Sequence, residues 1–143
     1  MQKKIKVLTA GSFEILHPGH IEFFKFAKTF GDELFVIISC DKNFRKFKKR
    51  EPVVPENQRK FVVENIKFVD NAILGDKKDF LKSIEKVLPD VIVLGYDQNS
   101  IDEKILEKEL KEKKISVKII RAPSFKNFPI CKTSEIIEKI KNS

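Results

Sequence analysis

Both histidines of the chain fall in one tetrapeptide, His17-Pro18-Gly19-His20. Pro18 suits the first turn of a helix, where its missing N–H would have no partner anyway. A helix that begins there carries both imidazoles at its N-terminus, the electropositive end whose free backbone N–H groups receive anions. Gly11 closes an apolar run just upstream, and Gly19 separates the histidines within GSFEILHPGH. A glycine at a strand end lets backbone and ligand approach closely. Paired imidazole donors on such a turn suit a phosphate whose negative charge grows during reaction. Zinc fits less well, because two histidines three residues apart are too few ligands and no Cys or carboxylate is spaced to complete them. A serine nucleophile is also a poor fit, since Ser12 has no elbow around it.

The chain that must position this turn has 143 residues and a formal net charge of +8, with 41% apolar and 35% charged residues. That is one domain, 1–143, with too much apolar content for global disorder. The charge admits two classes of partner, nucleic acid or small polyphosphates. No apolar run approaches the ~20 residues of a membrane span, which excludes an integral membrane protein. The Lys-containing start leads into a strand-like run rather than a secretory core. Two cysteines, Cys40 and Cys131, make no disulfide framework, and a reduced cytoplasm is the expected setting.

The positive charge is unevenly made. Lys supplies 25 of the 29 basic residues, and three of the four arginines (Arg45, Arg50, Arg59, with Arg121 the fourth) lie between 45 and 59. Most lysines read as solvated surface, as in EKILEKELKEKK, where i,i+4 pairs with Glu support a helix. KNFRKFKKR at 42–50, with six basic residues, reads either as a solvated loop or as a functional basic segment. Arg differs from Lys because its planar fork matches phosphate oxygens in pairs.

Strand-like and helix-like segments alternate. KIKVLTA (4–10), LFVIISC (34–40), FVDNAIL (68–74), DVIVLG (90–95) and ISVKII (115–120) read as five strands, with helices expected over 18–30, 56–66, 77–87, 101–114 and 133–141. Gly31 is placed as a left-handed cap of the first helix, and Gly75 at a turn that needs positive φ. The expected fold is α/β: a single Rossmann-like, doubly wound, five-stranded parallel sheet with flanking helices. Ligands of such sheets bind beyond the strand C-termini where strand order reverses.

The stretch GSFEILHPGHIEFFKFAKTFGDELFVIISCD resembles the first strand, helix and second strand of the HxGH nucleotidyltransferases of the cytidylyltransferase-like branch, a HUP-type fold. Their usual opening is G-T-F-D-x-x-H-x-G-H. KFKKREPVVPENQR, VIVLGYDQ and CKTSEII are similar to further motifs, so the likeness covers nearly the whole chain. Within the branch, GYDQ and the Cys before the last motif most resemble the archaeal FAD synthases, with glycerol-3-phosphate cytidylyltransferases next.

The resemblance implies transfer of AMP from ATP to FMN, giving FAD and pyrophosphate by in-line attack on the α-phosphorus. The alternative is CTP with glycerol 3-phosphate or a similar polyol phosphate. A non-catalytic basic domain that binds nucleotide or nucleic acid is the reading from another class, and nucleic acid and membrane are not expected as partners of the enzyme. His17, His20 and Lys46 are the implied catalytic residues. Gly11, Ser12, Phe13, Pro18, Gly19, Arg59, Asp97, Thr133 and Ser134 are the implied nucleotide-binding residues. Lys48, Arg50, Asp41 and Phe125 are assigned to the acceptor or its phosphate, although Asp41 and Asp97 also suit turns, Thr133 a helix cap and Phe125 the core. Mg²⁺ would ride on the triphosphate rather than in a protein cage, and a homodimer is implied. Three residues depart from the family pattern: Ser12 for Thr, Glu14 for Asp, whose extra methylene would displace the carboxylate, and Lys132 where a hydroxyl residue opens the last motif.

Overall fold

The computed structural model describes residues 3–77 and 79–143. Its elements run β1 (Lys6–Gly11), α1 (Pro18–Lys28), β2 (Glu33–Ile38), α2 (Asp41–Lys48), α3 (Glu56–Glu64), β3 (Asn71–Leu74), α4 (Phe80–Val87), β4 (Val91–Leu94), α5 (Glu103–Glu112), β5 (Lys118–Arg121) and α6 (Thr133–Lys141). The five strands are all parallel, in the order β3-β2-β1-β4-β5. The order reverses at β1: the chain moves outward through β2 and β3, then returns to β4 on the other side. The C-terminal end of β1, where GSFEILHPGH begins, is therefore the switch point.

Both sheet faces are covered, which explains the nearly unbroken apolar runs of β2 and β4. Val7, Val36, Ile38 and Val93 face a core built with Phe23, Phe24 and Ala27 of α1 and Val63 of α3. Leu8, Ile37, Ile92 and Leu94 face the other side, against Leu81, Ile84 and Val87 of α4 and Leu106 and Leu110 of α5. Burying one such side chain contributes roughly 1.5–3 kcal/mol, so the sheet is anchored from both faces and its C-terminal edge is a rigid base for loops.

Several boundaries differ from those expected. The basic segment at 42–50 is mostly helix: Asp41–Lys48 forms α2, with Asp41 in its first turn, Arg45, Lys46 and Lys48 in its last, and Phe44 buried as its anchor. Acid at the N-terminus and base at the C-terminus complement the helix dipole, which outweighs repulsion among the basic side chains. Helix α4 starts at Phe80 with Asp79 as its cap; Lys78, within the expected helix 77–87, lies outside the described residues. Strand β5 is shorter than expected and begins at Lys118. Ile115 instead closes the end of α5, its N–H donating to Leu110 O at 2.9 Å.

Neither Gly31 nor Gly75 has positive φ. Helix α1 ends at Thr29 in ordinary helical geometry, and Gly31 is needed for room: a Cβ there would stand 2.7 Å from Ile5 O. The left-handed helix ends belong instead to Lys49 and Leu88. The expected Glu–Lys support within α5 is also not seen among the described ion pairs; Lys113 reaches Glu85 instead, at 2.6 Å.

Candidate active site

Helix α1 begins with a capping box made of histidines. His17 is the N-cap in extended backbone, Pro18 is the first helical residue, and His20 is the third. Gly19 N–H donates to His17 Nδ1 at 3.1 Å, and His17 N–H donates to His20 Nδ1 at 3.3 Å. Ser or Thr with Glu normally plays these two parts. Imidazole does the same with one nitrogen and keeps the other. Because each Nδ1 accepts, the proton of each neutral ring resides on Nε2, leaving two N–H donors free.

The rings lie nearly stacked, 3.8 Å between centroids and 30° apart. Burial pushes both imidazoles toward neutrality. For His17 the burial effect is opposed by Glu135 and Asp97; for His20 burial, reinforced by His17, takes the pKa down to about 3. At neutral pH the turn presents two uncharged donors, fixed in tautomer, at a helix N-terminus.

This has a consequence for acid stability. The unfolded chain protonates His20 near 6.5, whereas the folded chain resists until about 3, so between those values the unfolded state binds more protons and stability falls as pH drops. At pH 5 the loss relative to pH 7 is about 2 kcal/mol from His20, or roughly 5 °C in Tm. Thermal melts from pH 7 to 5 should show this slope, and His20→Asn should flatten most of it, leaving a smaller contribution of the same sign from His17. A wild-type Tm constant over that range would contradict the buried neutral pair.

The turn before α1 is strained and held. Phe13 is left-handed, with φ of 48°, at a cost of roughly 1–2 kcal/mol for a non-glycine. Its buried ring offsets this, packing 5.0 Å from Phe24 and edge-on to His20 at 5.4 Å. Gly11 makes room for that ring: a Cβ would lie 2.7 Å from Phe13 Cζ. The expected close approach at Gly11 is thus made to Phe13 within the protein.

The start of α6 docks onto the same turn. Thr133 Oγ1 donates to Ile15 O at 3.1 Å. A Cβ on Gly19 would be 2.8 Å from Cys131 O, so only glycine lets CKTS sit against HPGH. The N-cap of α6 is Lys132, without a side-chain cap bond, so Thr133 fastens two loops instead of capping the helix. Thr133 and Ser134 stand in its first turn, beside the histidines. Gly19→Ala would push backbone against backbone. We expect it to lower stability by about 1–3 kcal/mol and kcat by up to about 10² through misplacement of α6, measured by thermal melts and steady-state kinetics.

Arg59 has a different job from the expected contact with nucleotide. It is only 1% exposed and directs its guanidinium at three protein acceptors: Val54 O at 2.9 Å, Ser12 O at 2.7 Å and Asp41 Oδ1 at 2.7 Å. Asp41, expected at the acceptor, is that partner. Arg50 pairs with Glu14 through two bonds, of 2.6 and 3.1 Å. Glu14 is 6% exposed and also accepts from Val53 N–H; these bonds hold its carboxyl below the usual range although burial opposes them. Its extra methylene is therefore accommodated by Arg50 and the 50–53 segment. Lys46 and Lys48 are exposed on α2. Phe125 is half-buried, 5.7 Å from Phe26 and packed against the core. Cys40 is buried and Cys131 partly exposed.

Asp97 stands in the loop after β4, where its charge is felt by His17. Sequence reasoning missed how that loop is built. Gln98 accepts from Gly95 N–H at 3.1 Å and donates to Ala10 O at 3.0 Å, tying it to the end of β1. Arg121 donates to Gly95 O at 2.7 Å and Gln98 O at 3.0 Å, and pairs with Glu103. GYDQ itself was the available signal, since an amide beside a strand end can bridge two backbones.

The model of one family, described as cytidylyltransferase-like, matches residues 8–139. The chain belongs to the cytidylyltransferase-like family. Among curated relatives, the FAD synthase of Methanosarcina mazei is 47% identical over 135 residues, covering 94% of this chain and 87% of that one. The FAD synthase of Archaeoglobus fulgidus is 47% identical over 133 residues, covering 93% and 95%. Among solved structures, a lipopolysaccharide core biosynthesis protein from Thermoplasma volcanium superposes with a TM-score of 0.83 at 40% identity, covering 87% of this chain and all of that one. A pantoate-beta-alanine ligase from Francisella tularensis shares the fold, with a TM-score of 0.62 at 18% identity over 89% of this chain and 62% of its own. No helix among the described residues is long and apolar enough to cross a membrane.

Proposed function

We propose that this chain is a nucleotidyltransferase that makes FAD, transferring AMP from MgATP to FMN. The observation that carries the reading is the pair of Nδ1-anchored, neutral histidines at the switch point, in a chain 44–47% identical over nearly its full length to several FAD synthases. An oxygen of the FMN phosphate attacks the α-phosphorus of ATP. A new P–O bond forms, the bond from the α-phosphorus to the α–β bridging oxygen breaks, and pyrophosphate leaves with that electron pair. No covalent enzyme intermediate is required.

What the protein supplies is alignment and charge stabilisation. The two Nε2–H donors would meet non-bridging phosphate oxygens as negative charge builds. The N–H groups at the start of α6, with Thr133 and Ser134, would receive another part of the phosphate chain, and Lys46 and Lys48 would bring mobile positive charge from α2. Mg²⁺ enters as part of the substrate. Glu14 and Asp41 are already engaged by Arg50 and Arg59, so neither is free to hold the ion, which stays with the phosphate oxygens. The same reading places the enzyme in the cytoplasm as a homodimer.

A pyrophosphate-release matrix tests this: ATP and CTP crossed with FMN and glycerol 3-phosphate, all with Mg²⁺. Release with ATP and FMN alone is expected. Release with CTP and glycerol 3-phosphate and none with FMN would replace the reading by the cytidylyltransferase alternative.

A further inference from the structure

Lys132 occupies a position that helices fill with Ser, Thr, Asp or Asn, and a cation there opposes the dipole of α6. Its ammonium lies instead over Tyr96, 5.8 Å from the ring centroid. Tyr96 belongs to the GYDQ loop after β4 and is 39% exposed. The contact therefore spans from the β4–α5 loop to the start of α6. The histidine turn lies against the same segment, since the backbone of Cys131, next to Lys132, packs on Gly19. The phenol of Tyr96 raises the Lys132 pKa, helped by Asp97 and Glu135. Those two carboxylates are the ones that act on His17. Lys132 and His17 thus share one electrostatic neighbourhood.

We propose that Lys132 is a phosphate ligand of this site, and that it exchanges Tyr96 for a phosphate oxygen when substrate binds. The proposal rests on the reading of the site as one for nucleotidyl transfer and puts a cation where the family pattern has a hydroxyl residue. An exposed ammonium–aromatic contact is weak beside a charge-assisted bond to phosphate, and the flexible lysine stem allows the change of partner. The phosphate is either part of the triphosphate or the acceptor monoester. In both cases Lys132 leaves Tyr96 as the phosphate arrives.

The chain has one Tyr and no Trp, so its tyrosine emission reports Tyr96 alone. Titration with tripolyphosphate, and separately with glycerol 3-phosphate as a monoester probe, should change that emission saturably in at least one arm. Lys132→Ser, which installs a preferred N-cap residue and so keeps the helix, should abolish the change and weaken that probe about 10- to 100-fold by calorimetry. Lys132→Arg should restore binding. A KM increase for ATP alone assigns the triphosphate, and one for FMN alone the acceptor. Unchanged affinities and KM values in Lys132→Ser, with a wild type that makes FAD, would overturn the proposal and leave the function standing. A wild type that makes no FAD would sink the function itself.

Discussion

Replacing His20 by Asn is expected to lower kcat for FAD formation by about 10²–10³ while leaving the fold intact. The Asn side-chain oxygen can take over the role of Nδ1 and accept from His17 N–H, so the capping box survives. What disappears is the Nε2–H donor. If that donor meets charge that develops only in the transition state, kcat and kcat/KM should fall together, with little change in KM for ATP. His17→Asn should behave alike, because Asn is among the preferred N-cap residues and Gly19 N–H keeps its acceptor. The two losses will not add, since the stacked rings act on one phosphate chain as a unit. Circular dichroism and thermal melts at pH 7 separate this from unfolding. A His20→Asn enzyme with normal kcat would remove the turn from the chemistry.

The second large effect is structural. Arg59→Met should cost about 3–5 kcal/mol, the penalty for breaking a buried ion pair by removing one partner. It leaves Asp41, Ser12 O and Val54 O without the donors they now have, and these three lie in α2, the strained turn at Phe13 and the segment before α3. Arg59→Lys should fall between, since one ammonium cannot serve three divergent acceptors. Denaturant unfolding measures the loss. Unaltered stability with a raised KM for ATP would instead make Arg59 the nucleotide ligand that the sequence suggests.

These two residues mark how far the sequence is legible. The histidine turn is visible because rare residues with distinctive chemistry fall together at the end of an apolar run, and the α/β fold because apolar runs and helical patterns alternate. Arg59 looks like a phosphate ligand because nothing local shows that it is buried; its partners are 5, 18 and 47 residues away. Glu14 looks like a disruptive departure until Arg50 is seen beside it. Helix α2 is hidden by the six basic residues of 42–50, four of them its own, and revealed by tertiary burial of Phe44. Gly31 looks like a helix cap, yet its constraint comes from Ile5, twenty-six positions away in the chain, at the start of the sheet. Long-range packing decides each of these, whereas the chemistry of the site is local.

On the proposed function, AMP passes from ATP to FMN in a single displacement. The most direct measurement follows FAD by chromatography and pyrophosphate by a coupled assay in one reaction of the wild-type protein with MgATP and FMN. The two products should appear in equal amounts, and neither without both substrates. Pyrophosphate released from ATP in the absence of FMN, or without matching FAD, would contradict it.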